Sequence, residues 1–83
     1  SNPVEDKIES KAASIKAQLK GYRTMTNEVR RFLEELGFEI SGDGKHYKAI
    51  FMGENRYAIS IPKTSSDHRA GMNLASEIIN MLF

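Results

Sequence analysis

Apolar residues fall at helical spacing in the first quarter of the chain. Val4, Ile8, Ala12, Ile15, Leu19 and Tyr22 recur at three- and four-residue steps with Lys and Glu between them, the pattern of one helix face. The stripe predicts a helix over residues 4–22. It is narrow, and Lys11 and Gln18 interrupt it where a strict heptad wants apolar side chains. Gly21 and the Thr24/Thr26 pair then break or redirect the chain. Two roles stay open for this helix: packing on its own domain, or acting as a coiled-coil dimer or linker to an upstream domain.

A second helix is expected from Thr26, whose hydroxyl can cap it, with Glu28 suited to its positive end. Val29, Phe32, Leu33 and Leu36 form one apolar face, and Gly37 ends the helix because glycine accepts a left-handed conformation. Phe38-Glu39-Ile40 reads as a short strand, Gly42-Asp43-Gly44 as a turn, and residues 46–52 and 56–61 as two further strands joined through Gly53-Glu54-Asn55. A three-residue loop there pairs Phe51 with Tyr57, Ala49 with Ile59 and Tyr47 with Ile61. All six share one apolar face, while His46, Lys48, Arg56 and Ser60 take the other. A one-residue slip would mix the faces, so burial favours this register. Ile50 and Met52 are left outside, to be covered by the first helix or to form a contact patch. A last helix is expected from Ser65 or Ser66 to the C-terminus, with Gly71, Leu74, Ala75, Ile78 and Leu82 along one stripe and small residues early for a close approach to the sheet. The fold class is therefore α+β: α-β-β-β-α, a three-stranded antiparallel sheet with helices on one face, preceded by an extra amphipathic helix.

Composition narrows the class without naming a partner. Eighty-three residues, 40% apolar, support one small core. The absence of cysteine excludes disulfides and thiolate metal sites, and a cytoplasmic setting fits. No apolar run approaches the ~18 residues of a membrane span, so no membrane partner is expected. Residues 1–3 read as a cloning remnant, 4–24 as helix and linker, and 25–83 as the domain, taken from a longer protein. The net charge is +1. Residues 41–71 carry Lys45, Lys48, Arg56, Lys63 and Arg69 against Asp43, Glu54 and Asp67, a mild basic excess.

That excess surrounds both histidines. His46 directly follows the Gly42–Lys45 turn, and His68 sits beside Arg69 after Pro62 and Lys63. In the expected register His46 faces Pro62, which brings Lys63 and the last helix's N-terminus to the same edge. A helix N-terminus offers free N–H groups to an anion. Arg69 could add a bidentate phosphate contact, and Lys45 or Lys63 a point charge. An imidazole there could move a proton from a ribose 2′-hydroxyl. Two histidines without cysteine argue against zinc, and no cofactor motif is present. Glu28, Glu34 and Glu35 read as a solvated face.

The order of elements, with local motifs, resembles the HicA-type toxin fold, a relative of the double-stranded RNA-binding domain. The likeness spans residues 26–83: helix Val29–Leu36 followed by Gly37-Phe38, then Gly44-Lys45-His46 where the family has Gly-Ser-His, then Ile59-Ser60-Ile61-Pro62 before the last helix. Asn73-Leu74-Ala75-Ser76 is similar to a step in the last helix of double-stranded RNA-binding domains. The resemblance implies a bacterial or phage setting, RNA or DNA backbone contacts through Lys45, Lys48, Lys63, His68 and Arg69, and a ribonuclease histidine at His46. Lys45 in place of serine departs from the toxin pattern and tilts the expectation toward binding rather than an enzyme, while Met72 in place of a lysine removes a cation and should weaken phosphate binding. The rival expectation is a protein-interaction or homodimer module using Ile8, Ile15, Leu19, Tyr22, Ile50 and Met52.

Overall fold

The computed structural model describes residues 3–83, Asp43 by its backbone only. Its elements are α1 (Pro3–Leu19), α2 (Asn27–Leu36), β1 (Phe38–Asp43), β2 (His46–Phe51), β3 (Glu54–Pro62) and α3 (Ala70–Leu82). The protein is thus α+β, with three helices and one antiparallel sheet in the order β1-β2-β3. Of the residues expected to be a terminal remnant, Ser1 and Asn2 lie outside the described residues, whereas Pro3 opens α1. No described helix is long and apolar enough to cross a membrane.

Helix α1 joins the common core at its C-terminal end. Ile15, Leu19 and the following Tyr22 are buried with Val29, Leu33, Phe38, Ala49, Ile59, Ile61, Leu74, Ala75 and Ile78. Residues 3–11 are exposed throughout, so the first half of the stripe does not join the buried core. The helix also ends three residues sooner than expected, before Gly21. Tyr22 still reaches the core because its N–H donates to the Leu19 carbonyl and curls the chain back. α1 packs on α3 and α2, not on the sheet. Ile50 and Met52 are therefore not covered by it.

Helix α2 follows its sequence signals. The Thr26 hydroxyl accepts the Val29 N–H at 3.1 Å, and Gly37 caps the end at φ 113°.

The strands correct the expected turns. Gly44, at φ 62°, supplies the one positive φ that a two-residue turn with Lys45 needs, so Gly42 and Asp43 stay in the ladder. At the second turn Met52 (φ 52°) and Gly53 (φ 73°) are both left-handed, the type I′ pattern. This two-residue turn pairs Phe51 with Glu54, and a register shift beyond Ile50 absorbs the difference. The expected Phe51–Tyr57 pair is not formed, and Tyr57 is 39% exposed. The pairs Ala49–Ile59 and Tyr47–Ile61 stand as expected.

Helix α3 begins at Ala70, later than Ser65 or Ser66. The Ser65 hydroxyl accepts the Asp67 N–H and the Asp67 carboxylate accepts the Arg69 N–H. Such local side-chain bonds offer the backbone an alternative to the helix. His68 consequently lies in a turn before the helix rather than in its first turn. Gly71 does allow a close approach, but to α1: a Cβ there would fall on the Leu19 carbonyl oxygen and 2.8 Å from the Lys20 carbonyl carbon.

Candidate nucleic-acid interface

Strand pleating divides the sheet into two faces. Ala49, Ile59 and Ile61 point into the core, while His46, Lys48, Ala58 and Ser60 are exposed on the opposite face. His46 opens β2 and stands opposite Pro62 on β3 and Asp43 on β1. Its ring is neither sealed in the interior nor hydrogen-bonded to a described side chain.

Several cations gather at this end of the sheet. Lys45 occupies the tip of the first hairpin, and its carbonyl accepts the Lys63 N–H at 3.1 Å. Lys63 extends over Gly42, where a Cβ would sit 3.5 Å from its Nζ. Its ammonium reaches 5.2 Å from the centroid of the Tyr47 ring. From below, Arg30 on α2 brings its guanidinium to 5.5 Å from the same ring. Each cation gains about 0.5–1 kcal/mol from a partly exposed aromatic face. The ion pairs among the described residues are Arg56–Glu54 and Arg69–Asp67, so Arg30, Lys45 and Lys63 carry no carboxylate partner there.

The linker after α1 braces the same end. Thr24 bridges Thr64, and the Ser65 N–H donates to the Arg23 carbonyl at 2.9 Å. The buried Tyr22 hydroxyl donates to the Pro62 carbonyl. Burial, with a smaller effect from Tyr47, raises the Tyr22 phenol above its usual pKa.

His68 and Arg69 differ from the lysines. The Arg69 guanidinium lies 3.4 Å from the Asp67 carboxylate. That carboxyl is held below the usual range, first by the Arg69 N–H and then by the Arg69 side chain and the His68 charge. A groove of about 220 Å³ beside Pro62 is lined by Ser60, Ser65, Asp67, Asn73 and Glu77 among others. The entrance to α3 therefore carries its own carboxylates.

Of the residues expected to form a protein contact, Ile15, Leu19 and Tyr22 are buried in the core and cannot meet a partner without unfolding. Ile8 is exposed, Ile50 is half-buried, and Met52 is 69% exposed with its sulfur close to Gly37. Sequence reading missed Arg30 and the Tyr47 ring, whose association joins two elements separated along the chain. The signal available was weak: Arg30 follows the buried Val29 and so flanks the apolar face of α2. No group of three potential metal ligands occurs among the described residues.

No protein-family model, curated protein or solved structure matches the chain.

Proposed function

We propose that this domain binds RNA through the rim formed by Arg30, Lys45, Lys63 and the exposed His46, as a HicA-like or double-stranded RNA-binding-like accessory module. The observation that carries the reading is the convergence of Arg30 and Lys63 on one tyrosine ring beside Lys45, without a described carboxylate to neutralise them. Like charges held together at a surface favour a polyanion that releases counterions on binding. The α2-β1-β2-β3-α3 order agrees with the resemblance. Binding is favoured over cleavage because Lys45 stands beside His46 where the HicA pattern has a small serine.

The test is retention of labelled RNA at low salt and its decline as salt rises. Wild type should bind, and Arg30→Gln/Lys45→Gln/Lys63→Gln should lower the slope of log affinity against log salt by about 0.7–0.9 per lost contact. Retention unchanged in the triple variant would remove the rim from consideration.

A further inference from the structure

The two edges of the sheet differ in how they are closed. β3 ends at Pro62, which has no N–H to offer a neighbour, its register shifts beside Ile50, and Thr24 bridges Thr64 just beyond it. β1 has none of these devices. Its sequence holds no proline, lysine or arginine, and its register with β2 runs without a shift from Phe38 to Asp43. The Met52 N–H donates to the Gly37 carbonyl at 2.8 Å, which makes these two a hydrogen-bonded pair at the start of the β1–β2 ladder. Such pairs alternate along antiparallel strands. Glu39 and Ser41 therefore bond inward to β2, whereas Ile40 and Gly42, with the Phe38 carbonyl, face the open edge. No turn, loop or cap bond among the described residues uses those groups.

We propose that this edge pairs with the β1 of a second copy of the chain, antiparallel and centred on Ile40, joining two three-stranded sheets into one. A two-fold contact must be self-complementary, and this register is. Ile40 exchanges two bonds with Ile40 of the second copy, and Gly42 of each copy donates to the Phe38 carbonyl of the other. On the helix side of the sheet the half-buried Ile40 side chains meet, and Gly42 presents no side chain to crowd Phe38. On the opposite side Glu39 faces Ser41 of the second copy, a carboxylate against a hydroxyl donor. Ser41 is the register partner of Lys48. The second copy's Lys48 thus lies in the row of Glu39, two strands or about 9.6 Å away, within reach of two long side chains.

The charges along this edge make Lys48 the decisive one. The two Glu39 residues lie on a diagonal about 7–8 Å apart. Asp43, the register partner of His46, lies on the other diagonal from Glu39 of the second copy. Lys48 offsets these acids, and neither it nor Glu39 has an ion-pair partner among the described residues of one chain. One strand pair is a small contact, below the ~1,200 Å² of standard interfaces, so the dimer is weak and forms at high protein concentration. Because the paired strands run antiparallel, the two cationic rims stand at opposite ends of the shared edge. The pairing holds whatever the rim binds.

Sedimentation equilibrium of the whole chain, up to about 1 mM, the range of weak complexes, should show a reversible monomer–dimer equilibrium. In a concentrated mixture of isotope-labelled and unlabelled chain, an intermolecular NOE should join the Hα atoms of Glu39 and Ser41. Their Cα atoms are about 4.5 Å apart across the two-fold contact, against about 6.6 Å within one strand. Ile40→Pro removes an N–H that the β1–β2 ladder does not use, so far-ultraviolet circular dichroism should be unchanged while association weakens about tenfold or more. Lys48→Glu should weaken association several-fold, and Lys48→Glu/Glu39→Lys should regain it. Should Ile40→Pro fail to fold, the NOE and the charge exchange decide. A chain that stays monomeric at every concentration overturns the proposal and leaves the edge to an extended segment of another protein. A dimer that lacks the Glu39–Ser41 contact and is indifferent to the charge exchange overturns it equally, by placing the contact on another surface.

Discussion

Tyr22 shows how one residue joins distant parts of the chain. Its ring lies in the core and its hydroxyl donates to the Pro62 carbonyl, 40 residues away. Tyr22→Phe keeps the ring and strands that acceptor, so a loss of about 1 kcal/mol at neutral pH is expected. Urea unfolding measures it, and equal midpoints for the two proteins would contradict the bond's contribution. The pH dependence has a definite sign. The folded phenol has a raised pKa because burial disfavours its anion. Its stabilising effect is full below the unfolded value of about 10 and is lost as pH rises through the higher folded value. Between pH 9 and pH 11 the wild-type midpoint should therefore fall more steeply than that of Tyr22→Phe. The sequence made the ring legible, since Tyr22 completes the apolar stripe. The hydroxyl's partner was not legible, because nothing near Tyr22 in the chain indicates Pro62. The same holds for Tyr47: alternation placed it on the core side of the sheet, whereas its two cations come from other elements.

At the scale of elements, spacing specified which segments form and left open what they touch. The cap at Thr26, the Gly37 stop and the Ala49–Ile59 pairing could be read directly because each depends on neighbours in the chain or on alternation. The second hairpin departed from expectation because Met52 accepts a left-handed conformation, which shortens the turn and displaces Tyr57 from its pair. Gly71 is the clearest case of a legible need with an illegible object. Small residues early in α3 signalled close packing, yet the neighbour is the backbone at the end of α1 rather than the sheet. Backbone atoms cannot move aside as a flexible side chain can. Gly71→Ala must separate the two helices, and a cost of about 2–3 kcal/mol is expected, the upper range of core overpacking. Gly21→Ala is the internal comparison, since a Cβ there meets nothing within 4 Å and no positive φ opposes it. That variant should be neutral or slightly stabilising, by up to about 0.5–1 kcal/mol. Chemical denaturation of both decides: similar midpoints for the two variants would refute the crossing as the reason for glycine at position 71.

For the whole molecule, α1 and the α-β-β-β-α unit share one core. Ile15, Leu19 and Tyr22 lie in the same buried cluster as Leu33, Ile61 and Ile78. Each such side chain contributes about 1.5–3 kcal/mol when buried, so the three together contribute roughly 5–9 kcal/mol. A domain of this length is stable by only about 4–12 kcal/mol in total. A fragment of residues 25–83 therefore loses most of what holds it folded. It also loses the Thr24–Thr64 bridge and the Arg23 carbonyl that receives the Ser65 N–H, both of which brace the chain just beyond Lys63. The α-β-β-β-α unit depends, in this protein, on the helix that precedes it. By contrast, residues 3–11 are exposed and lie outside the buried cluster, so removing residues 1–8 should leave the melting transition nearly in place. The fragment of residues 25–83 should show no cooperative melting transition and poorly dispersed amide resonances. A well-dispersed spectrum from that fragment, with a sharp transition near that of the whole chain, would mean that the core closes without α1 and that Gly71 and Tyr22 serve only to dock an appendage.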